Sequence, residues 1–409
     1  MQGVASMPSD TLHAETKPAS APARLLRIGI FGGYGTGNFG NDASFEALYN
    51  FLRAEHPDAE ISAICSKPEN VAKRFGVKAV GIAAPRPEGI WRKLDTLMLR
   101  QPSTWRNWAR CLKALNDYDV ILSGGTGVFD DFRDTPLGWP SVLGRWLLAA
   151  KIKGVTWRFV SVGAGPITNP LSREMFKRTG ATAKQRLYRD QDSYDFMKRL
   201  GVDGPLDGVV PDLAFLLPAP GGEKVVGTPL VIGVGMMTYH GWSSSGGMYE
   251  KYIALHVELI QWLLAEGHEV RMIIGQTPTD LTAAREVEAR LGRKMLTPRD
   301  EQMTSIHDAM AAIGETDMVI ASRYHVQIAA LKMGRPLISL SYGPKNNALM
   351  ADVGLSDFAQ DVDHADFKKL KQQINTMIAG RERYAVQVRE KVAAMTAKLK
   401  SALRALDLA

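Results

Sequence analysis

Cysteine is nearly absent from this chain of 409 residues: Cys65 and Cys111 are the only two, far apart in sequence. Two thiols so placed make neither a disulfide framework nor the paired spacing of a structural zinc site. No apolar run approaches the roughly 20 residues that a helix needs to cross a bilayer. No G-x-x-x-x-G-K-[ST] segment occurs, which argues against a P-loop nucleotidase. No compact Lys/Arg run with interleaved aromatics is present, so nucleic acid is not an expected partner. Residues 1–24 are rich in Ala, Pro, Ser and Thr and lack the apolar centre of a signal peptide. They read as a disordered tail, and the protein reads as cytoplasmic.

What is present is an ordinary globular composition, 45% hydrophobic and 23% charged, in a chain long enough for two domains. The net charge of +7 suits anionic substrates or an anionic membrane surface. Much of that excess lies in the C-terminal segment. Short apolar runs at 25–31, 61–65, 118–123, 156–162 and 186–189 predict strands. Helical spacing appears at 42–54, 142–150 and 193–200. After a Pro/Gly-rich stretch at 211–229, read as a linker, the pattern restarts. Strands are expected at 230–234, 269–274, 318–321 and 337–341, with helices at 251–266, 280–291 and 326–333. This alternation implies parallel sheets with helices on both faces. The expected fold class is α/β, with two Rossmann-like doubly wound domains facing a cleft. They cover 25–218 and 219–365, followed by basic helices over 366–409.

Two glycine-rich turns follow predicted strands. In Gly32-Gly33-Tyr34-Gly35-Thr36-Gly37-Asn38-Phe39-Gly40, Gly35, Gly37 and Gly40 match G-x-G-x-x-G, a pattern that lets backbone approach an anion at a helix N-terminus. A tight βα turn without a ligand is the plain alternative. A dinucleotide site would want an acid at the end of the second strand, where Cys65-Ser66-Lys67 stands instead. The second turn is Ser123-Gly124-Gly125-Thr126-Gly127, leading to Asp130 and Asp131. Its glycines either help floor a substrate site or permit close helix packing. Its acids are either catalytic or N-capping.

The most informative stretch is Ser322-Arg323-Tyr324-His325 followed by Ser341-Tyr342-Gly343-Pro344-Lys345. It puts Arg323, His325 and Lys345 at the exits of consecutive strands, and such exits face one crevice in an open α/β sheet. Cations gathered there suit a small, multiply charged anion. Arg189, before Asp190 in the first domain, is either a surface ion pair or a clamp from the opposite lobe. His240 precedes a glycine- and serine-rich loop at 241–247 that could cover the cleft. Trp91, Trp105 and Trp108 read as core. The lysines of the C-terminal helices read as a solvated face, with a membrane-surface role as the minority alternative.

These segments together (Gly35-Thr36-Gly37-Asn38-Phe39-Gly40, Gly124-Gly125, Arg189-Asp190 with Ser193, and Arg323-Tyr324-His325 with Lys345) resemble the polysaccharide pyruvyl transferase family over nearly the whole chain after residue 25. The resemblance implies a GT-B-like fold. It implies transfer of the enolpyruvyl unit of phosphoenolpyruvate to a sugar, forming a pyruvate ketal on a cell-surface polysaccharide or its lipid-linked precursor. It implies that Arg189, His325 and Lys345 contact phosphoenolpyruvate. One departure is Asn41-Asp42, where family members often carry the acid directly after the glycine. Peripheral association with the inner membrane face is a further expectation.

The chemistry fits these residue types on its own terms. A donor with adjacent phosphate and carboxylate wants several fixed cations. Protonation of its methylene carbon wants a group that titrates near neutrality, and His325 is the natural candidate as general acid or as phosphate ligand. Asp42 and Asp131 are the candidates for accepting the hydroxyl proton. Arg323, Gly35, Gly37, Asn38, Gly124 and Gly125 complete the expected substrate contacts. No cofactor and no metal are expected. The alternatives are a nucleotide-sugar-dependent glycosyltransferase of the same fold and a non-enzymatic sensor of a phosphorylated metabolite.

Overall fold

A computed structural model describes residues 24–85, 87–98, 101–125, 127–131, 134–219, 229–241 and 247–408 of the protein. The expected N-terminal tail (residue 24 apart), Thr126, the centre of the 211–229 linker and most of the 241–247 loop lie outside the described residues. No helix among the described residues is long and apolar enough to cross a membrane.

Two parallel sheets form the frame. The first contains β1 (Arg27–Gly32), β2 (Glu60–Cys65), β3 (Ala79–Gly81), β4 (Val120–Gly124), β5 (Gly127–Phe129), β6 (Thr156–Ala164), β7 (Gln185–Tyr188) and β8 (Gly208–Val209). Its order is β3-β2-β1-β4-β6-β7-β8, with β5 paired to β6. The second contains β9 (Val231–Met236), β10 (Glu269–Ile274), β11 (Met318–Ala321), β12 (Leu337–Ser341) and β13 (Ala359–Asp361), in the order β10-β9-β11-β12-β13. Each sheet is α/β and doubly wound about its first strand, which places a crevice at the carboxyl ends of the strands.

The period-2 geometry of β1 shows how the sequence drives this. Ile28 and Ile30 face one buried cluster and Phe31 the other, because successive side chains leave opposite faces of a strand. Phe31 meets Trp146 and Trp157 edge-on at 5.7 and 5.0 Å. The Trp146 indole is fully buried and donates its N–H to the Ile82 carbonyl, as a buried indole must. The opposite cluster runs without a break from the first sheet through the helix Phe39–Glu55 into the second domain.

The last helix, Arg381–Arg404, does not stay with the second sheet. It returns to the first domain, where Arg404 pairs with Glu55 and Thr396 donates to the Phe215 carbonyl. Asp407 then accepts from Lys184 at 3.0 Å, and its backbone carbonyl accepts from buried Arg158. The basic C-terminal segment is therefore partly a strap between domains. The core reading of the tryptophans holds for Trp108, which packs on the core, and fails for Trp91 and Trp105, which are 69% and 71% exposed.

Candidate functional site

The site forms where β7 of the first domain and β11 and β12 of the second present their carboxyl ends to each other. The helix Tyr324–Lys332 begins directly after β11, so Arg323 is its N-cap residue and Tyr324 and His325 occupy its first turn. The helix Pro344–Asp352 begins after β12, with Lys345 in its first turn. Helix N-termini carry partial positive charge, so two of them add to the cationic field here.

Tyr324 is the hub. The Arg189 guanidinium, from the first domain, lies 5.0 Å from the Tyr324 ring centre, and the Lys345 ammonium, from the second, lies 5.5 Å from it. Lys345 also stands 4.7 Å over the Tyr342 ring, and the His325 ring meets Tyr324 edge-on at 5.3 Å. Tyrosine faces hold both cations without neutralising them. The Arg189 side chain is only 8% exposed, and Asp190, 3.4 Å from its Nε, is its one ion-pair partner among the described residues. The positive field of Lys345, Arg323 and Arg189 overcomes burial and draws the Tyr342 phenol below its ordinary pKa.

His325 is set deeper. Burial is the main cause that pushes its pKa down to about 4, and Arg189, Lys345 and Arg323 add to the effect against the opposing pull of Asp212. The imidazole is therefore neutral at pH 7. Its Nε2 has no hydrogen-bond partner and lies 3.8 Å from an Asp212 oxygen that is likewise unpartnered. The other Asp212 oxygen accepts the Ala214 N–H, which fixes the carboxylate in place. Asp212 lies in the stretch read from sequence as linker. The signal that could have found it is a lone acid inside the apolar run Val210-Pro211-Asp212-Leu213-Ala214-Phe215.

The structure gives the other sequence candidates specific places. Arg323 donates to Gln276 and Asp280, so it holds the 275–280 loop as well as contributing charge. Asp42 accepts the Gly35 N–H at 2.7 Å and pairs with Arg74 at 3.1 Å; burial raises its pKa. Asp131 accepts the backbone N–H groups of Thr168 and Asn169, and so clasps the loop after β6. Asn38 caps the helix Phe39–Glu55 through Gly40 and Asn41, and its backbone bridges Gln276 of the second domain. Gly35 and Gly37 have φ of +80° and +82°, the region glycine favours. Gly124 and Gly125 lie against Leu48 and Ser44, the close packing that one of the two sequence readings expected.

Two glycines matter more than the sequence indicated. A Cβ at Gly163 would fall 2.4 Å from the Arg189 guanidinium, and one at Gly40 would fall 1.9 Å from His325 Nδ1. The β6–β7 register shifts between Phe159 and Val162, and Ser161 there has φ of +57°. Such a bulge re-aims the strand that follows, here the one that delivers Gly163 beneath Arg189.

A cavity of about 640 Å³ opens beside the cations. Arg189, Asp190, Tyr342 and Lys345 are among the residues that line it, as are Asp130, Asp192, Phe196 and Arg199. Among the described residues no cluster of three or more His, Cys, Asp or Glu could hold a metal ion.

The profile of a protein family described as polysaccharide pyruvyl transferase matches residues 38–344. The chain belongs to the polysaccharide pyruvyl transferase family. The matched segment starts at the cap residue Asn38, takes in Arg189, Asp212, Arg323 and His325, and stops one residue short of Lys345. No curated protein matches this transferase closely enough to count as a relative. Among solved structures it resembles UDP-GlcNAc 2-epimerase from Neisseria meningitidis bound to UDP-GlcNAc, at 12% identity and a TM-score of 0.57, covering 93% of this chain and 99% of that one. Anabaena HepE in complex with UDP and glucose gives 14% identity and a TM-score of 0.53, covering 93% and 100%. UDP-GlcNAc 2-epimerase from Methanocaldococcus jannaschii gives 12% and 0.54, covering 86% and 92%. At these identities the likeness is one of fold, and it makes the transferase a two-domain GT-B-type protein.

Proposed function

We propose that the protein transfers the enolpyruvyl group of phosphoenolpyruvate to two hydroxyls of a sugar, forming a pyruvate ketal on a polysaccharide or its lipid-linked precursor. The observation that carries this reading is the convergence of Arg189 and Lys345, from opposite domains, on the Tyr324 ring beside His325. Paired cations held at fixed separation suit a phosphate and a carboxylate on adjacent atoms. The 640 Å³ cavity alongside has room for a sugar, with Phe196 as an apolar face and acids as hydroxyl acceptors.

In this mechanism the methylene carbon of the donor takes a proton and C2 becomes oxocarbenium-like. One sugar hydroxyl adds to C2, the C–O bond to phosphate breaks, and the second hydroxyl adds to close the ketal. Of the two hydroxyl protons, one replaces the proton given to carbon and the other leaves with phosphate. His325 supplies the proton to carbon. We assign the hydroxyl proton to Asp130, which lines the cavity with Arg189 and Lys345, rather than to Asp42 or Asp131, which do not line it. No cofactor enters the scheme.

A donor for the proton must first be charged, and free His325 is not. The bound donor brings negative charge beside the imidazole, which favours the imidazolium and raises the pKa. In carbon-13 histidine NMR, His325 is expected to titrate near pH 4 in the free protein and at least about one unit higher with phosphoenolpyruvate bound. An unmoved midpoint would remove His325 as the acid.

The reading as a whole is tested by calorimetry with phosphoenolpyruvate and with UDP sugars, and by phosphate release with a panel of glycan acceptors. Binding of phosphoenolpyruvate, with phosphate released only when an acceptor is present, is expected. Heat with UDP sugars alone would replace this reading with the glycosyltransferase one.

A further inference from the structure

We infer that the helix pair Gly89–Leu97 and Gln101–Ala114 is a docking surface for an anionic phospholipid interface. The first helix carries Ile90, Trp91, Leu94, Leu97 and, just beyond it, Met98. These positions fall on one face at helical spacing. That face turns away from the protein: the five side chains are 68%, 69%, 41%, 79% and 56% exposed, and Trp105 of the second helix is 71% exposed. Scattered apolar residues on a surface need no explanation, but five on one exposed helix face do.

The pair is built to present this face. Asp95 accepts the N–H and the hydroxyl of Ser103, which closes the hairpin. Asn107 accepts the Ala84 N–H, and Arg110 donates to the Gly81 carbonyl, which fixes the second helix to the end of β3. The stripe is therefore not a frayed segment awaiting burial in its own domain.

Charge selects the occupant. Residues 86–113 hold seven Lys or Arg against two acids, Glu88 and Asp95. Arg92 and Lys93 on the same helix and Arg106 and Lys113 on its neighbour are exposed. Exposed tryptophan and aliphatic side chains on a net-cationic helix pair match the boundary between acyl chains and anionic headgroups. A second copy docked face to face would instead bring the cations against each other.

Position supports the same occupant. The hairpin follows β3, and β3 runs parallel to β1, β4, β6 and β7, whose carboxyl ends build the cleft. The hairpin and the cleft therefore both follow the carboxyl end of the sheet, the hairpin beside β3 at one side and Arg189 after β7 toward the other. Docking would hold the opening over the surface from which a lipid-linked acceptor projects. The docking itself does not depend on which reaction the cleft performs.

The test is flotation of the full chain with vesicles of phosphatidylglycerol and phosphatidylcholine, and with phosphatidylcholine alone, in the absence of donor and acceptor. Binding to the anionic vesicles is expected. It should weaken at least about tenfold in W91S/L97S and in R92E/K93E, and also at about 0.5 M salt. These side chains are exposed and lie outside the cleft, so phosphate release with a water-soluble acceptor should be unchanged in both variants. Failure to float with anionic vesicles, or flotation that W91S/L97S leaves intact, would overturn the inference. So would a vesicle-free dimer that sedimentation shows to be abolished by W91S/L97S, because a second copy would then cover the stripe.

Discussion

Arg189→Ala is expected to lower kcat/KM for phosphoenolpyruvate by roughly a thousandfold, the scale for removing one partner of a desolvated, hydrogen-bonded charge pair. The side chain is 8% exposed, spans from the first domain to a ring of the second, and has Asp190 as its one ion-pair partner among the described residues. Among the described residues, Arg189 is the guanidinium that stands over the Tyr324 ring. Arg189→Lys keeps the charge but loses the planar fork and the stacking geometry, so it should recover only part of the loss. Part of the alanine effect will be structural, since Asp190 loses its partner. Calorimetric affinity for the donor beside steady-state kinetics separates the two: a positional role predicts weaker donor binding, whereas instability predicts fewer active molecules of normal affinity. Kinetics within threefold of the parent protein would remove Arg189 from the site.

The parts of this site that could be read from sequence are those tied to strand exits. Arg323, His325 and Lys345 each follow an apolar run of four or five residues, β11 or β12, and such runs announce themselves. The fold was legible for the same reason: most of the long parallel strands are continuous apolar stretches bounded by glycine or polar residues. Elements of two or three residues, namely β3, β5, β8 and β13, carry no periodicity and could not be read. Helices with mixed faces, such as Pro68–Phe75 and Pro170–Thr182, were missed because only part of each surface is buried. Asp212 was hidden by its neighbours, since proline and glycine around it read as a linker. Trp91 and Trp105 were misplaced because composition cannot tell an amphipathic face turned inward from one turned outward. The ambivalence over Gly124 and Gly125 has a physical basis too: a glycine that admits a ligand and one that admits a neighbouring helix look alike until the neighbour is seen.

Gly40→Ala should reduce turnover at least a hundredfold with little change in overall stability. Gly40 is the third glycine of the fingerprint and sits in the first turn of the helix Phe39–Glu55. Its backbone is not in the left-handed region, so alanine suits its conformation and on propensity alone favours the helix by about 1 kcal/mol. The obstacle is space. The added Cβ would stand 1.9 Å from Nδ1 and 2.2 Å from Cγ of His325, distances at which one group must leave. Phe39 anchors the helix in the core, so the imidazole is the group that yields. It would turn away from Asp212, from the burial that chiefly depresses its pKa and from the field of Arg189 and Lys345, and its titration should move up from about 4 toward the ordinary value. Gly33→Ala is the control: its Cβ would find only Asn41 Nδ2, at 3.7 Å, and activity should be unchanged. If Gly40→Ala retains full turnover and the low His325 pKa, then the imidazole as placed beside Gly40 is not the group that delivers the proton.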